Sequence, residues 1–216
     1  MHSENAKIII IKNAILNDLD QLIFAFHHCV FFQTENFQRA IMNEEISIAR
    51  WKFHRKIFKK PQNYSLLERA VACFYLNRTN FSGILRAMPI GGMSQLGKYK
   101  MDCRFNKKDL CNRIELISHL RDRITLCNLD AIFLLNTIGS DAFIYADPPY
   151  EKEGRGLYSK SAINIDALLD VLQGKDYILS FGNTIDGKSV TRTRCFSKNN
   201  REKMIIGRAE EHQNSA

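Results

Sequence analysis

No glycine occurs before Gly83, so the first third of the chain holds no glycine-rich loop of the kind that lets backbone approach a ligand closely. The six cysteines, Cys29, Cys73, Cys103, Cys111, Cys127 and Cys195, include no C-x-x-C pair, and no histidine cluster stands at metal-ligand spacing. Zinc is therefore not expected. The start, MHSENAK followed by IIII, lacks the basic region, long apolar stretch and small-residue cleavage site of a secretory signal. Without an oxidising compartment the cysteines read as reduced thiols, several of them buried. The longest apolar runs, such as Leu22 to Phe26 and Ala131 to Leu135, fall far short of the roughly 18 residues that span a bilayer. A cytoplasmic protein with no membrane partner and no metal is expected. Repeats and low-complexity tracts are also missing, and a composition 45% hydrophobic and 25% charged excludes general disorder. A length of 216 residues suits one domain of ordinary size, with room for a subdomain.

Acidic residues are scarce in one place only. Residues 50–108 carry 14 Lys and Arg against Glu68 and Asp102, and this segment accounts for the net charge of +8. The flanking segments are slightly acidic. A solvated basic face is one reading of such a run. The same segment also holds Trp51, Phe53, Phe58, Tyr64, Phe81 and Tyr99 and a glycine-bearing loop. That mixture suits a polyanion, with phosphates taken by the cations and loop side chains within reach of base edges.

The hydrophobic pattern predicts a buried strand over Lys7 to Leu16, then a helix from about Asp20 to Val30 with cap chemistry at Asn17-Asp18. Helices follow near Thr34–Met42, Ile46–Lys59 and Leu66–Asn77, with Pro61 breaking between the last two. Residues 78–104 contain Gly83, Pro89, Gly91, Gly92 and Gly97 and read as a long loop or small hairpin. Loops of that length inside a compact domain are usually functional. Asn106, with Asp109 three residues on, starts a helix to about Arg123. The pattern then turns α/β. Strands are predicted at Ile124–Cys127, Phe143–Ala146 and Tyr177–Phe181, and helices at Asp130–Asn136 and Ile165–Leu172. This alternation implies a mainly parallel sheet with ligand sites at the carboxyl ends of its strands. The basic helical block interrupts it as an insert, and the tail from Lys198 is polar.

Two of the four prolines stand together in Asp147-Pro148-Pro149-Tyr150, directly after a predicted strand. A rigid surface turn is the plainer explanation. The chemical one is specific. The exocyclic amino group of adenine is a poor nucleophile because its lone pair is delocalised into the ring. Two acceptors, the carboxylate of Asp147 and the carbonyl of Pro148, can take both of its N–H bonds. The nitrogen then moves toward tetrahedral geometry and its lone pair points at an electrophile. Proline fixes φ and has no N–H, so the turn presents carbonyl oxygens stiffly. Tyr150 offers a π-face to a base withdrawn from the duplex stack.

These residues, with blocks in a fixed order around them, resemble the adenine-specific DNA methyltransferases of the alpha arrangement, the Dam-like group. The resemblance extends to about residue 183. Ala14-Ile-Leu-Asn-Asp-Leu-Asp20 followed by Ile23-Phe-Ala-Phe26 is similar to the family's second strand and its acidic end. Phe74-Tyr-Leu-Asn-Arg-Thr-Asn-Phe-Ser-Gly83, Ile90-Gly-Gly92, Gly97-Lys-Tyr-Lys100 and Arg104-Phe-Asn106 resemble its target-recognition region. Gly156-Leu-Tyr158 and Ile178-Leu-Ser-Phe181 match the blocks after DPPY. The leading Asp, rather than Ser or Asn, resembles the adenine-amino enzymes rather than those acting on cytosine or on glutamine side chains.

The resemblance implies a Rossmann-like S-adenosylmethionine-dependent sheet with an inserted, mainly helical recognition region. Residues 1–30 and 109–197 would form the α/β core, residues 31–108 the DNA-binding region and residues 198–216 a tail. It implies catalysis by Asp147, Pro148, Pro149 and Tyr150, cofactor contacts from Asp18, Asp130 and Asp147, and duplex DNA as partner. Asp18 and Asp130 also read, more simply, as helix caps. Arg78 and Arg86 suit a phosphate or a guanine edge, or are solvated loop arginines. Lys98 and Tyr99 suit phosphate contact more than base readout. Members of the family carry a first strand and glycine-rich loop that have no counterpart here, and residues 186–216 match its last strands poorly. A preceding segment or separate chain is therefore an expected partner. The rival readings are a truncated, catalytically silent DNA-binding remnant and, more weakly, an enzyme methylating RNA or protein.

Overall fold

A computed structural model describes residues 12–148, 164–185, 188–196 and 203–208. The chain divides into two units, Met1–Asn128 and Leu129–Ala216.

In the first unit, strands β1 (Ala14–Asn17) and β2 (Ile124–Cys127) pair in parallel, with Ala14 opposite Ile124 and Asn17 opposite Cys127. Five helices pack beside them: α1 (Gln21–Phe32), α2 (Thr34–Asn43), α3 (Ile48–Lys59), α4 (Leu66–Thr79) and α5 (Lys107–Ser118). Local chemistry starts most of them. Ser47 caps α3 through the N–H of Arg50, and Asn106 caps α5 through the N–H of Asp109. Ser65 and Glu68 form a reciprocal capping box on α4. Ser65 donates to the Glu68 carboxylate from both its hydroxyl and its backbone, which holds that group below its ordinary value. Helix α3 ends at Lys60-Pro61, as the missing proline N–H requires.

Helix α4 is central. Every residue from Ala70 to Leu76 is buried, so its apolar surface faces neighbours all round rather than along one stripe. Phe74 stacks on Phe26 at 6.2 Å between ring centroids and meets Phe37 and Phe105 edge-on at 5.8 and 5.5 Å. The same core includes residues of α1, α2 and α5, with Leu16, Ile124 and Leu126 packed against it. The segment carrying the excess charge is thus built on one core with the strands.

In the second unit, α6 (Ala131–Thr137) precedes β3 (Phe143–Ala146), and α7 (Ile165–Leu172) lies on the crossover to β4 (Asp176–Ile185). Strands β3 and β4 run parallel, with Ile144 opposite Tyr177 and Ala146 opposite Leu179. Leu135, Leu168 and Leu172 of the helices bury Ile144, Tyr177 and Leu179. Strands β5 (Lys188–Phe196) and β6 (Lys203–Arg208) extend this sheet antiparallel, in the order β3-β4-β5-β6.

The mainly parallel sheet expected from the sequence is therefore seen as two parallel pairs, one in each unit, with an antiparallel extension. Residues 203–208, expected in a polar tail, form β6. The expected strand at Lys7 to Leu16 is described only from its end, since residues 1–11 lie outside the described range. The helix expected to reach Arg123 stops at Ser118. Tighter i→i+3 bonds from Leu120 to Ile117 and from Arg123 to Leu120 follow, and they bring Arg123 Nε within 2.8 Å of Lys12 O beside β1.

Candidate nucleotide and nucleic-acid sites

Asp147 and Pro148 directly follow β3, at the carboxyl end of a strand in a parallel pair. Asp147 is exposed and Pro148 is buried. Along β3 the burial alternates: Ile144 points into the core, whereas Phe143 and Tyr145 are 63% and 66% exposed. Pro149 and Tyr150 lie outside the described residues, as does the block at Gly156-Leu-Tyr158.

Asp18 lies at the carboxyl end of β1. Its backbone N–H donates to Cys127 O at 3.3 Å, and its carbonyl accepts from Asn128 Nδ2 at 2.6 Å, so the ends of β1 and β2 are tied at this residue. The cap of α1 is Asp20 rather than the expected Asn17-Asp18. Asp20 Oδ1 accepts from the N–H groups of Leu22 and Ile23 at 2.8 and 3.4 Å. Asp18 Oδ1 instead accepts from the N–H of Asp20 at 2.8 Å. Burial raises the Asp18 carboxyl above its ordinary value, opposed by that hydrogen bond and reinforced by the neighbouring charge of Asp20. Asp130 caps α6, accepting from the N–H of Phe133 at 3.0 Å. Each of these two carboxylates makes its hydrogen bond through Oδ1, which leaves Oδ2 as an acceptor among the described residues. Either carboxylate can accept a hydrogen bond from a hydroxyl or amino donor.

Arg78 sits near the end of α4, half-buried, and its Nε has no hydrogen-bond partner among the described residues. Burial lowers its pKa, and the charges of Arg104 and Arg113 add to that. Arg113 itself pairs with Asp109 at 3.3 Å, so the desolvated Arg78 is the group whose charge an anion would offset. Arg86 is exposed on the following loop, close enough to Arg55 that its charge adds to the burial lowering the Arg55 pKa. The ammonium of Lys98 lies 5.7 Å from the ring centroid of Tyr99, which is 64% exposed.

The glycines expected to shape this loop do so at Gly91. Its φ is +81°, and a Cβ there would stand 2.7 Å from Tyr99 O. Gln95 ties the same turn, donating to Ile90 O at 2.8 Å and accepting from Met101 N at 3.1 Å. Asn80, Trp51 and Arg55, none of them singled out as a site residue from the sequence, hold the residues around Arg86. In the sequence Asn80 lies within the predicted loop of residues 78–104, and Trp51 is the sole tryptophan.

Among the described residues no cluster of three or more His, Cys, Asp or Glu side chains is placed to hold a metal. No helix among them is long and apolar enough to cross a membrane. Comparison with curated proteins gave no match. The family profile of the D12 class N6 adenine-specific DNA methyltransferases matches residues 3–178, which takes in β1, the basic helical segment, β3 and Asp147-Pro148. That match covers well over half of the chain, and the chain belongs to the D12 class of N6 adenine-specific DNA methyltransferases.

Proposed function

We propose that this chain transfers a methyl group from S-adenosylmethionine to the exocyclic amino nitrogen of adenine in duplex DNA. The observation that carries the reading is the position of Asp147-Pro148 at the end of β3 in a chain of this family. Asp18 would hold the ribose hydroxyls of the cofactor and Asp130 its adenine, through the oxygens left open by their bonds to the N–H groups of Asp20 and Phe133. When bound, S-adenosylmethionine supplies an electrophilic methyl group on a sulfonium.

The chain's own residues position the acceptor. Asp147 and the carbonyl of Pro148 accept the two N–H bonds of the target amine and aim its lone pair. The nitrogen–carbon bond forms as the sulfur–carbon bond breaks, and Asp147 takes or relays the proton that the amine then loses. Pro149 stiffens the turn, and Tyr150 stacks on the flipped base. A transfer of this kind needs positioning above all. In this reading residues 1–30 and 109–197 form the catalytic core and residues 31–108 choose the site. Arg78 and Lys98, with Tyr99 beside it, would meet phosphates, and Arg86 a phosphate or base edge.

The test is transfer of labelled methyl from S-adenosylmethionine to unmethylated duplex DNA, with structured RNA and peptide as competing acceptors and Asp147→Ala as control. Label on adenine of the duplex, lost in the control, is the expected result. A folded chain that transfers nothing to any of the three acceptors overturns the proposal.

A further inference from the structure

Asn80 joins helix α4 to the loop that carries Arg86. Its backbone N–H closes the helix on Leu76 O at 3.0 Å, and the residue is fully buried. Its side-chain oxygen accepts from Trp51 Nε1 at 2.7 Å, and Nδ2 donates to both Ile84 O and Leu85 O at 3.0 Å. An indole N–H only donates, so this contact fixes which end of the amide faces α3 and which faces the loop. Leu85 O also accepts from Arg55 Nη1 at 2.7 Å, and Gly83 O accepts from Asn77 Nδ2 at 3.0 Å. The Arg55 guanidinium lies over the rings of Trp51 and Phe58, at 5.5 and 5.0 Å.

Three successive carbonyls, those of Gly83, Ile84 and Leu85, are therefore each held by a side chain from α3 or the end of α4. The base of the loop is closed by Phe81 N on Met88 O at 3.1 Å and Ile90 N on Thr79 O at 2.9 Å. Ser82 and Gly83 turn it with φ values of 53° and 73°. With its carbonyls turned inward, the loop exposes Phe81, Ile84, Arg86 and Met88 together. Eight residues whose one regular feature is the short 3-10 turn Phe81–Gly83 would otherwise sample many conformations, and binding would have to order them.

We propose that Asn80, backed by Trp51 and Arg55, is the positioning residue of loop 81–88. It sets the loop in its DNA-reading conformation before DNA arrives, so site choice depends on a side chain that reaches no base. The inference rests on the reading above that residues 31–108 choose the site, and it assigns the loop's order to one amide.

The test uses the full chain. Asn80→Asp keeps the size and the acceptor for Trp51 but removes both donors and sets an oxygen against the carbonyls of Ile84 and Leu85. Trp51→Phe removes one donor from behind the hub. Amide hydrogen exchange is followed at Phe81, Gly83, Ile84 and Ala87, and sequence preference is read by selecting bound duplexes from a randomised pool. Asn80→Asp is expected to speed loop exchange at least tenfold while amides of residues 70–76 keep their protection. Enrichment of preferred duplexes should fall at least tenfold, and total binding to the pool less than threefold. Trp51→Phe should move both readouts the same way by less, and it carries the test alone if Asn80→Asp does not fold. Arg86→Ala should lose preference with loop exchange unchanged, the pattern of a contact residue rather than a positioning one. Unchanged loop exchange in Asn80→Asp and Trp51→Phe overturns the proposal, as does faster exchange with preference intact. A wild-type chain that prefers no duplex overturns the DNA-recognition reading and the functional half of this proposal. The exchange data then still decide whether Asn80 orders the loop.

Discussion

Replacing Glu44 with Gln should destabilise the helical unit strongly at neutral pH and progressively less as the solution is acidified. Glu44 is buried just after α2. Its Oε1 meets Arg50 Nε at 2.5 Å and His54 Nε2 at 3.0 Å, and its Oε2 accepts from Arg50 Nη2 at 2.9 Å. Burial works against the charged carboxylate, but these hydrogen bonds and the charges behind them outweigh it and hold the group at about 2. A glutamate pKa depressed from 4.5 to about 2 contributes stability that is present above pH 4.5 and lost as pH falls toward 2. The linkage amounts to about 3 kcal/mol at pH 7 and about 1 kcal/mol at pH 3. Glutamine leaves Arg50 and buried His54 facing a neutral amide, so the cost at pH 7 should be about 3 kcal/mol. With a urea dependence of about 2 kcal/mol per molar, that lowers the unfolding midpoint by roughly 1.5 M. Trp51 is the only tryptophan and is buried in the same unit, so its fluorescence reports this transition selectively. The gap between wild type and Glu44→Gln should narrow by more than half between pH 7 and pH 3. A gap that stays constant over that range would refute the assignment of the stability to an ionised Glu44.

Other perturbations separate the chemistry from the scaffold. Asp147→Asn should lower methyl transfer by about 10²–10³-fold, in line with losing one preorganised charge-stabilising group, with DNA affinity and urea midpoint unchanged. Asp18→Asn keeps an oxygen for the N–H of Asp20 and removes a carboxylate that burial disfavours. It should be at least as stable as wild type at pH 7, by an excess that vanishes in acid. Its affinity for S-adenosylmethionine, measured by calorimetry, should fall about tenfold with the loss of a charged hydrogen bond. Phe74→Ala removes a ring with three aromatic partners and should cost about 3–5 kcal/mol in the Trp51 transition. Arg78→Gln should weaken binding to all duplexes alike and reduce the salt dependence by about one counterion.

The helices were legible because their signals are local. Ser65 with Glu68, and Asn106 with Asp109, cap within three residues, and Pro61 stops α3 by covalent geometry. The antiparallel strands were not. Lys188–Phe196 alternates Val and Thr with Arg, a pattern of low hydrophobicity that becomes a strand by pairing with β4 on one side and β6 on the other. The cap at Asp20 was displaced from Asn17-Asp18 because β1 runs to Asn17 and its pairing continues through the Asp18 N–H to Cys127. At the candidate site the same division holds. The proposed catalytic residues Asp147 to Tyr150 form a contiguous motif, whereas the hub joins Asn80 to Trp51 across 29 positions and is built by the packing of α3 on α4.

A local hydrogen bond and ligand binding are often set against each other when an Asp follows a strand, but under the roles proposed for Asp18, which accepts from the N–H of Asp20, and Asp130, the cap of α6, the two would cooperate. A carboxylate that spends one oxygen on a backbone N–H loses rotational freedom about its side-chain bonds. Its second oxygen is then held in one direction before any ligand arrives, and less ordering remains to oppose binding. At Asp18 the restraint is doubled, because its backbone also bridges the ends of β1 and β2 through Cys127 and Asn128. Burial adds a further bias, since a carboxylate disfavoured by desolvation gains more from a hydroxyl donor than one already in water. The local role that explains each residue in the folded chain is also what would make it an effective acceptor for a nucleoside.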